Sequence, residues 1–213
     1  MQNSDRILVA DDHEIVRMGL IRIIKQLKPQ SHLSEADDYK SLYVKISKEN
    51  FDLVILDVNM PNGSFQEAVN FIKLKQPHIK ILVFSSQDEQ LYAVRYLKIG
   101  ADGYLNKESS MAKIDLALNA MLNTGRYISE EVRESMISVS LQNNQAPNSS
   151  LETLSNRELQ IANSLVQGLT LKDLSNQLNL HSSTISTYKN RVFEKLGIQS
   201  IPELVEILRL YNQ

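Results

Sequence analysis

Four short apolar runs, each ending in a polar residue of a different kind, constrain this chain more than any other feature of its sequence. Ile7-Leu8-Val9-Ala10 stops at Asp11-Asp12, Leu53-Val54-Ile55-Leu56 at Asp57, Ile81-Leu82-Val83-Phe84 at Ser85, and Tyr104-Leu105 leads through Asn106 to Lys107. The runs do not alternate and are rich in Val, Ile and Leu, the pattern of strands buried on both faces of a parallel sheet. Helical patterns lie between them, beginning with Ile15, Met18, Gly19, Ile23 and Leu27. Such alternation implies right-handed crossovers, parallel strands and one shared carboxyl edge. Ligands of open sheets bind in the crevice outside that edge, where the strand order reverses. Three carboxylates, a hydroxyl and an ammonium are expected to converge there.

An Asp after a strand is a common turn residue, so each position alone fits a loop or cap. The ordered set of four points instead to chemistry. Clustered carboxylates repel one another and hold protons more tightly unless a cation sits among them. Mg2+ suits the place, because it prefers hard oxygen ligands and binds through one or two carboxylates, phosphate oxygens and water. On this reading Asp57 is the nucleophile that accepts an in-line phosphoryl group, Lys107 and the metal neutralise the equatorial oxygens, and Ser85 donates a hydrogen bond to one of them. Asp12 and the backbone carbonyl of Asn59 complete the metal shell with Asp57, and Asp11 acts on the metal through water.

These residues resemble the receiver domain of bacterial two-component response regulators. The motifs are Asp11-Asp12, Asp57-Val58-Asn59-Met60-Pro61, Phe84-Ser85-Ser86 and Gly100-Ala101-Asp102-Gly103-Tyr104-Leu105-Asn106-Lys107, within roughly the first 130 residues. The resemblance implies a flavodoxin-like (βα)5 fold with a five-stranded parallel sheet, and a sensor histidine kinase as phosphoryl donor. It implies that Ser85 and Tyr104 are the switch pair, the hydroxyl moving toward the phosphate and the ring turning inward behind it. It also implies that Asn59 and Gln87 tune dephosphorylation. One departure stands out: the family usually has a glycine a few residues beyond the proline, whereas here Gly63 comes early and Phe65 takes the usual place, so the loop after Asp57 is expected to differ in shape.

At 213 residues with 42% hydrophobic content, the chain has enough material for two small domains with ordinary cores. No stretch is apolar enough to span a membrane, and the first strand begins too early for a signal peptide, so cytoplasm is the expected compartment. Zero cysteines exclude a disulfide framework or thiolate metal site. After a helical stretch from Ser109 through Met121 to Gly125 comes a weaker one through Glu130, Val132 and Met136. The polar block Gln142-Asn143-Asn144-Gln145-Ala146-Pro147-Asn148-Ser149-Ser150 then reads as a linker. The expected organisation is a receiver over 1–128, a helical extension and linker over 129–150, and a small all-α domain of four helices over 151–213.

In that last segment Ser155-Asn156-Arg157-Glu158 fits a capping box, and Gly168 stops the first helix, expected over about 156–167. Thr170 opens a second helix with Leu171, Leu174 and Leu178 on one face. A third is expected over about 183–196, closed by Gly197, and a last one follows Pro202. Two short helices joined by a tight turn suit a helix-turn-helix, and by periodicity alone they suit a protein-binding bundle equally well. The residues Ser155-Asn156-Arg157-Glu158, Gly168, Leu180, Thr184-Ile185 and Lys195-Leu196-Gly197 resemble the LuxR-type DNA-binding domain of the NarL/FixJ class. The net charge of -2 gives no global attraction to DNA, so contacts must be local. Ile185, Val192 and Leu196 should face the core. Ser186, Thr187 and Asn190 should face outward to read double-stranded DNA, with Lys189 and Arg191 on phosphates. His181 replaces the usual small capping residue, so Ser182 is expected to take over as cap.

The function implied is a phosphorylation switch. Phosphoryl transfer to Asp57 biases Ser85, Tyr104 and the helix over about 88–99, and thereby controls homodimerisation and DNA binding. The last helix, around Leu204 to Leu210, is the expected contact between DNA-bound copies, and RNA polymerase is a further candidate partner. The chain should catalyse only its own phosphorylation and dephosphorylation. Two alternatives stay open on the residues alone: a phosphorylation-independent regulator on the same fold, and a magnesium phosphohydrolase. Asn59 stands where many such hydrolases carry a second Asp.

Overall fold

The apolar runs are strands because their side chains have core on both sides. In a computed structural model, described here for residues 4–134 and 150–211, β1 (Arg6–Ala10), β3 (Leu53–Leu56), β4 (Lys80–Ser85) and β5 (Gly103–Asn106) are almost wholly buried. A fifth strand, β2 (His32–Ala36), stands outside the four runs. Its His-Leu-Ser-Glu-Ala sequence is half exposed, because β2 lies at the sheet edge. All pairings are parallel in the order β2-β1-β3-β4-β5. Strand order reverses at β1, so the ends of β1 and β3 flank the crevice of a doubly wound sheet.

Five helices complete the first unit: α1 (Glu14–Leu27), α2 (Tyr39–Lys48), α3 (Phe65–Lys75), α4 (Glu89–Ile99) and α5 (Met111–Asn123). Asp38, Ser64, Asp88 and Ser110 cap the last four, each accepting an early amide of the helix it precedes. One core joins α1 to α5 through Leu20, Ile24, Ile114, Ala117, Leu118 and Met121, packed against Ile7, Val9, Leu53, Ile55, Leu82 and Leu105. The helical pattern expected in α1 is present, but its first members point outward. Ile15 and Met18 are 86% and 61% exposed, and Leu20 and Ile24 make the contact with the sheet. Residues 130–134 are helical; Met136 and positions 142–149 of the expected linker lie outside the described residues.

The described residues from 150 onward form a second compact unit. A 3-10 turn (Ser150–Thr153) leads to α6 (Asn156–Val166), α7 (Leu171–Leu178), α8 (Ser182–Leu196) and α9 (Ile201–Tyr211). Both expected N-termini carry reciprocal capping boxes, Ser155 with Glu158 and Thr170 with Asp173. The α8 cap differs from expectation. Ser182 is the first helical residue rather than the cap, and His181 sits at the cap position without a side-chain hydrogen bond to the helix. Pro202 falls inside the first turn of α9 rather than before it, a place proline tolerates because that amide needs no helical acceptor. No helix among the described residues is long and apolar enough to cross a membrane.

Candidate functional site

The ends of β1, β3 and β5 bring Asp11, Asp57 and Lys107 into direct contact. The Lys107 Nζ lies 2.7 Å from Asp11 Oδ2 and 3.1 Å from Asp57 Oδ2. Asp11 and Asp57 are buried, at 1% and 3% exposure, while Asp12 opens to solvent beside them. The Val58 amide donates to Asp57 Oδ1 at 2.7 Å, and the His13 amide to Asp11 Oδ1 at 2.8 Å. Burial is the main force raising the proton affinity of Asp57 and the Asp11 charge adds to it, with Lys107 and the Val58 amide opposing. This is a carboxylate short of positive charge.

Ligand atoms of Asp11, Asp12, His13 and Asp57 all lie within 4.8 Å of one another. Three of the four groups offer hard oxygen, and two of those are buried with a single ammonium to share. That donor set fits a small divalent cation such as Mg2+. Asn59 follows Val58 on the same edge and is exposed. His13 was not expected in the cluster; its Nδ1 lies 2.8 Å from Asp12 Oδ1. Arg17 was not expected either, and it donates to the Asp11 carbonyl at 2.7 Å and to Glu35 at 3.0 Å.

Ser85, at the end of β4, is 1% exposed, and its Oγ accepts the Gln87 amide at 3.2 Å. The Tyr104 ring is turned inward, 1% exposed, and its hydroxyl donates to the Gln87 carbonyl at 2.7 Å. Asn106 Nδ2 donates to the same carbonyl at 3.0 Å, and the Tyr96 hydroxyl donates to Gln87 Oε1 at 2.7 Å. The loop between β4 and α4 is thus tied at Gln87 by four side chains. Tyr96 stacks on Tyr104 with centroids 6.1 Å apart, and Phe65 meets Tyr96 edge-on at 4.8 Å. Phe65 opens α3 and belongs to the aromatic packing around Tyr96 and Tyr104. In the loop after Asp57, Asn62 takes φ +65°, and Gly63 lies against Tyr39. Neither Tyr39 nor Tyr96 was flagged by motif or spacing, because their contacts join segments far apart in the chain.

In the second unit, α8 presents Thr187, Asn190 and Arg191 outward, with Ser186 and Lys189 half-buried. The Lys189 ammonium lies over the Phe193 ring at 5.4 Å, and Thr187 Oγ1 donates to the Ser183 carbonyl at 2.9 Å. Ile185 and Val192 are fully buried as expected, while Leu196 is only partly so. The start of α6 is tied to the end of α8 by Glu158, 3% exposed, which accepts from the Ser155 amide at 2.7 Å and pairs with Lys195 at 2.6 Å. Of the leucines expected at the contact between DNA-bound copies, Leu204 and Leu208 are turned into their own domain. They are 0% and 2% exposed, while among the described side chains of that helix Val205 and Ile207 are half-buried and Ile201 is 40% exposed.

Comparison with known proteins gives two family matches, the response regulator receiver domain over residues 7–119 and the luxR family of bacterial regulatory proteins over residues 152–208. Response regulator GacA of Pseudomonas viridiflava is 33% identical over 199 residues, spanning 93% of this chain and 92% of its own. Fimbriae Z protein of Escherichia coli K12 is 29% identical over 206 residues, 97% of each. Among solved structures, RcsB of Salmonella enterica serovar Typhimurium, bound to a promoter in the presence of a phosphomimetic, matches with a TM-score of 0.58 at 22% identity. It covers 97% of this chain and 98% of that one, a likeness of fold.

Proposed function

The chain belongs to the NarL/FixJ class of two-component response regulators, DNA-binding regulators of transcription, and from that premise we propose that Asp57 is its phosphoacceptor. The observation that carries the proposal is the shared ammonium: Lys107 contacts both Asp11 and Asp57, beside Asp12 and His13. In the transfer, an Asp57 oxygen bonds to phosphorus as the bond from phosphorus to the donor's leaving group breaks and takes its electron pair away. Lys107 stays beside the reacting carboxylate and meets the charge on the transferred oxygens. Ser85 exchanges its contact with the Gln87 amide for one with a phosphoryl oxygen, and Tyr104 holds the inward position behind it. Asp11, Asp12, Asp57 and the Asn59 carbonyl would hold Mg2+. Bound there, that ion supplies charge neutralisation for the phosphoryl group.

The donor is a sensor histidine kinase, and this protein receives the phosphoryl group in the cytoplasm. The receiver extends over 1–128, an extension and linker over 129–150, and the DNA-binding domain over 151–213. Phosphorylation shifts the population toward a homodimer that binds double-stranded DNA, with Asn190, Thr187 and Ser186 at base edges and Arg191 and Lys189 at phosphates. Asn59 and Gln87 set how fast the acyl phosphate is lost. Catalysis extends no further than the chain's own phosphorylation and dephosphorylation.

The test is intact mass after incubation with Mg2+ and acetyl phosphate, on the wild type and on Asp57→Asn, followed by selection of DNA from a random pool. One adduct on the wild type alone, with tighter DNA selection after it forms, is the expected result. An adduct retained by Asp57→Asn would place the phosphoacceptor elsewhere. No adduct on either protein, with DNA selection intact, would favour a phosphorylation-independent regulator.

A further inference from the structure

Tyr39 is the first residue of α2, far from any motif, yet it lies against the loop that follows Asp57. Its side chain is buried at 1% exposure, and its hydroxyl donates to the Val58 carbonyl at 3.1 Å. Its own amide donates to the Pro61 carbonyl at 3.2 Å. A Cβ on Gly63 would come within 2.7 Å of the Tyr39 Cβ, so only glycine lets the loop approach so closely. Next to it, Asp38 accepts from Asn62 Nδ2 at 2.7 Å, which holds the left-handed turn at Asn62. Two consecutive residues at the start of α2 thus fasten four of the loop residues 58–63.

The Val58 contact has the most direct consequence for the acidic cluster. The Val58 amide is held by Asp57 Oδ1 and the Val58 carbonyl by Tyr39. Since the peptide unit is planar, fixing that carbonyl fixes the plane of the Val58–Asn59 bond and so the direction in which the chain leaves toward Asn59. A buried tyrosine hydroxyl needs an acceptor, and here it finds one beside the phosphoacceptor. Burial raises the proton affinity of the phenol and the Asp57 charge adds to this, so the hydroxyl remains a donor across the working pH range.

We propose that Tyr39 is a positioning residue for the cation site, its hydroxyl setting the Val58–Asn59 peptide so that the Asn59 carbonyl meets the ion held by Asp12 and Asp57. The inference rests on the Mg2+ site of the reading above. It assigns a role in that site to the start of α2, which contributes none of the cluster's ligands.

The experiment is calorimetric titration of Mg2+ into the full-length protein, comparing the wild type, Tyr39→Phe and Ile46→Val. Tyr39→Phe keeps the ring and removes one hydrogen bond, so the Mg2+ dissociation constant should rise about three- to ten-fold. Acyl phosphate yield should return to the wild-type level at saturating Mg2+. Ile46→Val truncates a buried residue of the same helix, so it should lower thermal stability comparably and leave Mg2+ affinity alone. Equal affinity in the wild type and Tyr39→Phe overturns this inference by itself, as does equal weakening by Ile46→Val. A wild type that takes up no Mg2+ overturns the parent reading and this one with it.

Discussion

Asp57 in the receiver and Glu158 in the DNA-binding domain each expose only 3% of their surface, and each faces a lysine, Lys107 at 3.1 Å and Lys195 at 2.6 Å. Their proton affinities nevertheless move in opposite directions. Burial works against the ionised form of both. At Glu158 it is outweighed by Lys195 and the Ser155 amide, and the carboxyl sits below its ordinary value of 4.5. At Asp57 burial prevails with help from Asp11, and the carboxyl sits above its ordinary 3.8. Two things differ: Asp57 lies deeper, at the end of an inner strand, so desolvation weighs most there, and its Lys107 is divided between two acids, whereas among the described residues Lys195 pairs with Glu158 alone. A satisfied ion pair of this kind holds helices together, and an under-compensated one is left ready for a ligand or a reaction.

The largest expected effect comes from removing the shared ammonium. Lys107→Met should slow phosphorylation of Asp57 by acetyl phosphate about 100-fold or more, the usual consequence of deleting one preorganised donor at developing charge. Time-resolved intact mass measures it, and a rate within a few-fold of wild type would mean that Lys107 is only a structural counter-ion. The matching change in the other domain, Lys195→Met, leaves Glu158 buried with its capping-box contacts to Ser155. It should cost about 2 kcal/mol of local stability. Hydrogen exchange across residues 155–197 of the full chain reads this directly, and the receiver should be untouched.

The smallest effect carries the sign of the comparison. A carboxyl whose folded value is raised loses stabilisation as pH climbs from 3.8 through that value, because the unfolded chain gives up its proton first. Asp57→Asn lacks that loss, so without Mg2+ it should melt above the wild type at neutral pH, and the gap should close on acidification as Asp57 takes up its proton. Glu158 behaves in reverse. Its stabilisation is present above 4.5 and disappears as pH falls through its lower folded value, so wild type and Lys195→Met should converge in acid. Thermal melts across pH check both. An Asp57→Asn variant that melts below the wild type at neutral pH would show that Asp57 is satisfied as Glu158 is.

How much of this was legible beforehand follows from the range of the interactions. The buried strands, the capping box at Ser155, the helix start at Thr170 and the polar residues ending each apolar run could be read from sequence, because each depends on neighbours a few positions away or on a regular alternation of elements. Strand β2 was hidden because an edge strand needs only half a hydrophobic face, and His-Leu-Ser-Glu-Ala supplies no more. Spacing marked Ile15 and Met18 as members of a helix, but only packing showed that Leu20 and Ile24 are the residues that turn inward. The leucines of α9 could serve the domain's own core or a second copy, and Leu204 and Leu208 are used by the core. The sequence by itself determined which chemical groups end the strands. Tertiary structure alone decided that Lys107 is divided between two acids and that Tyr39 lies against the loop after Asp57, because those contacts join residues tens of positions apart whose distance only the packed sheet sets.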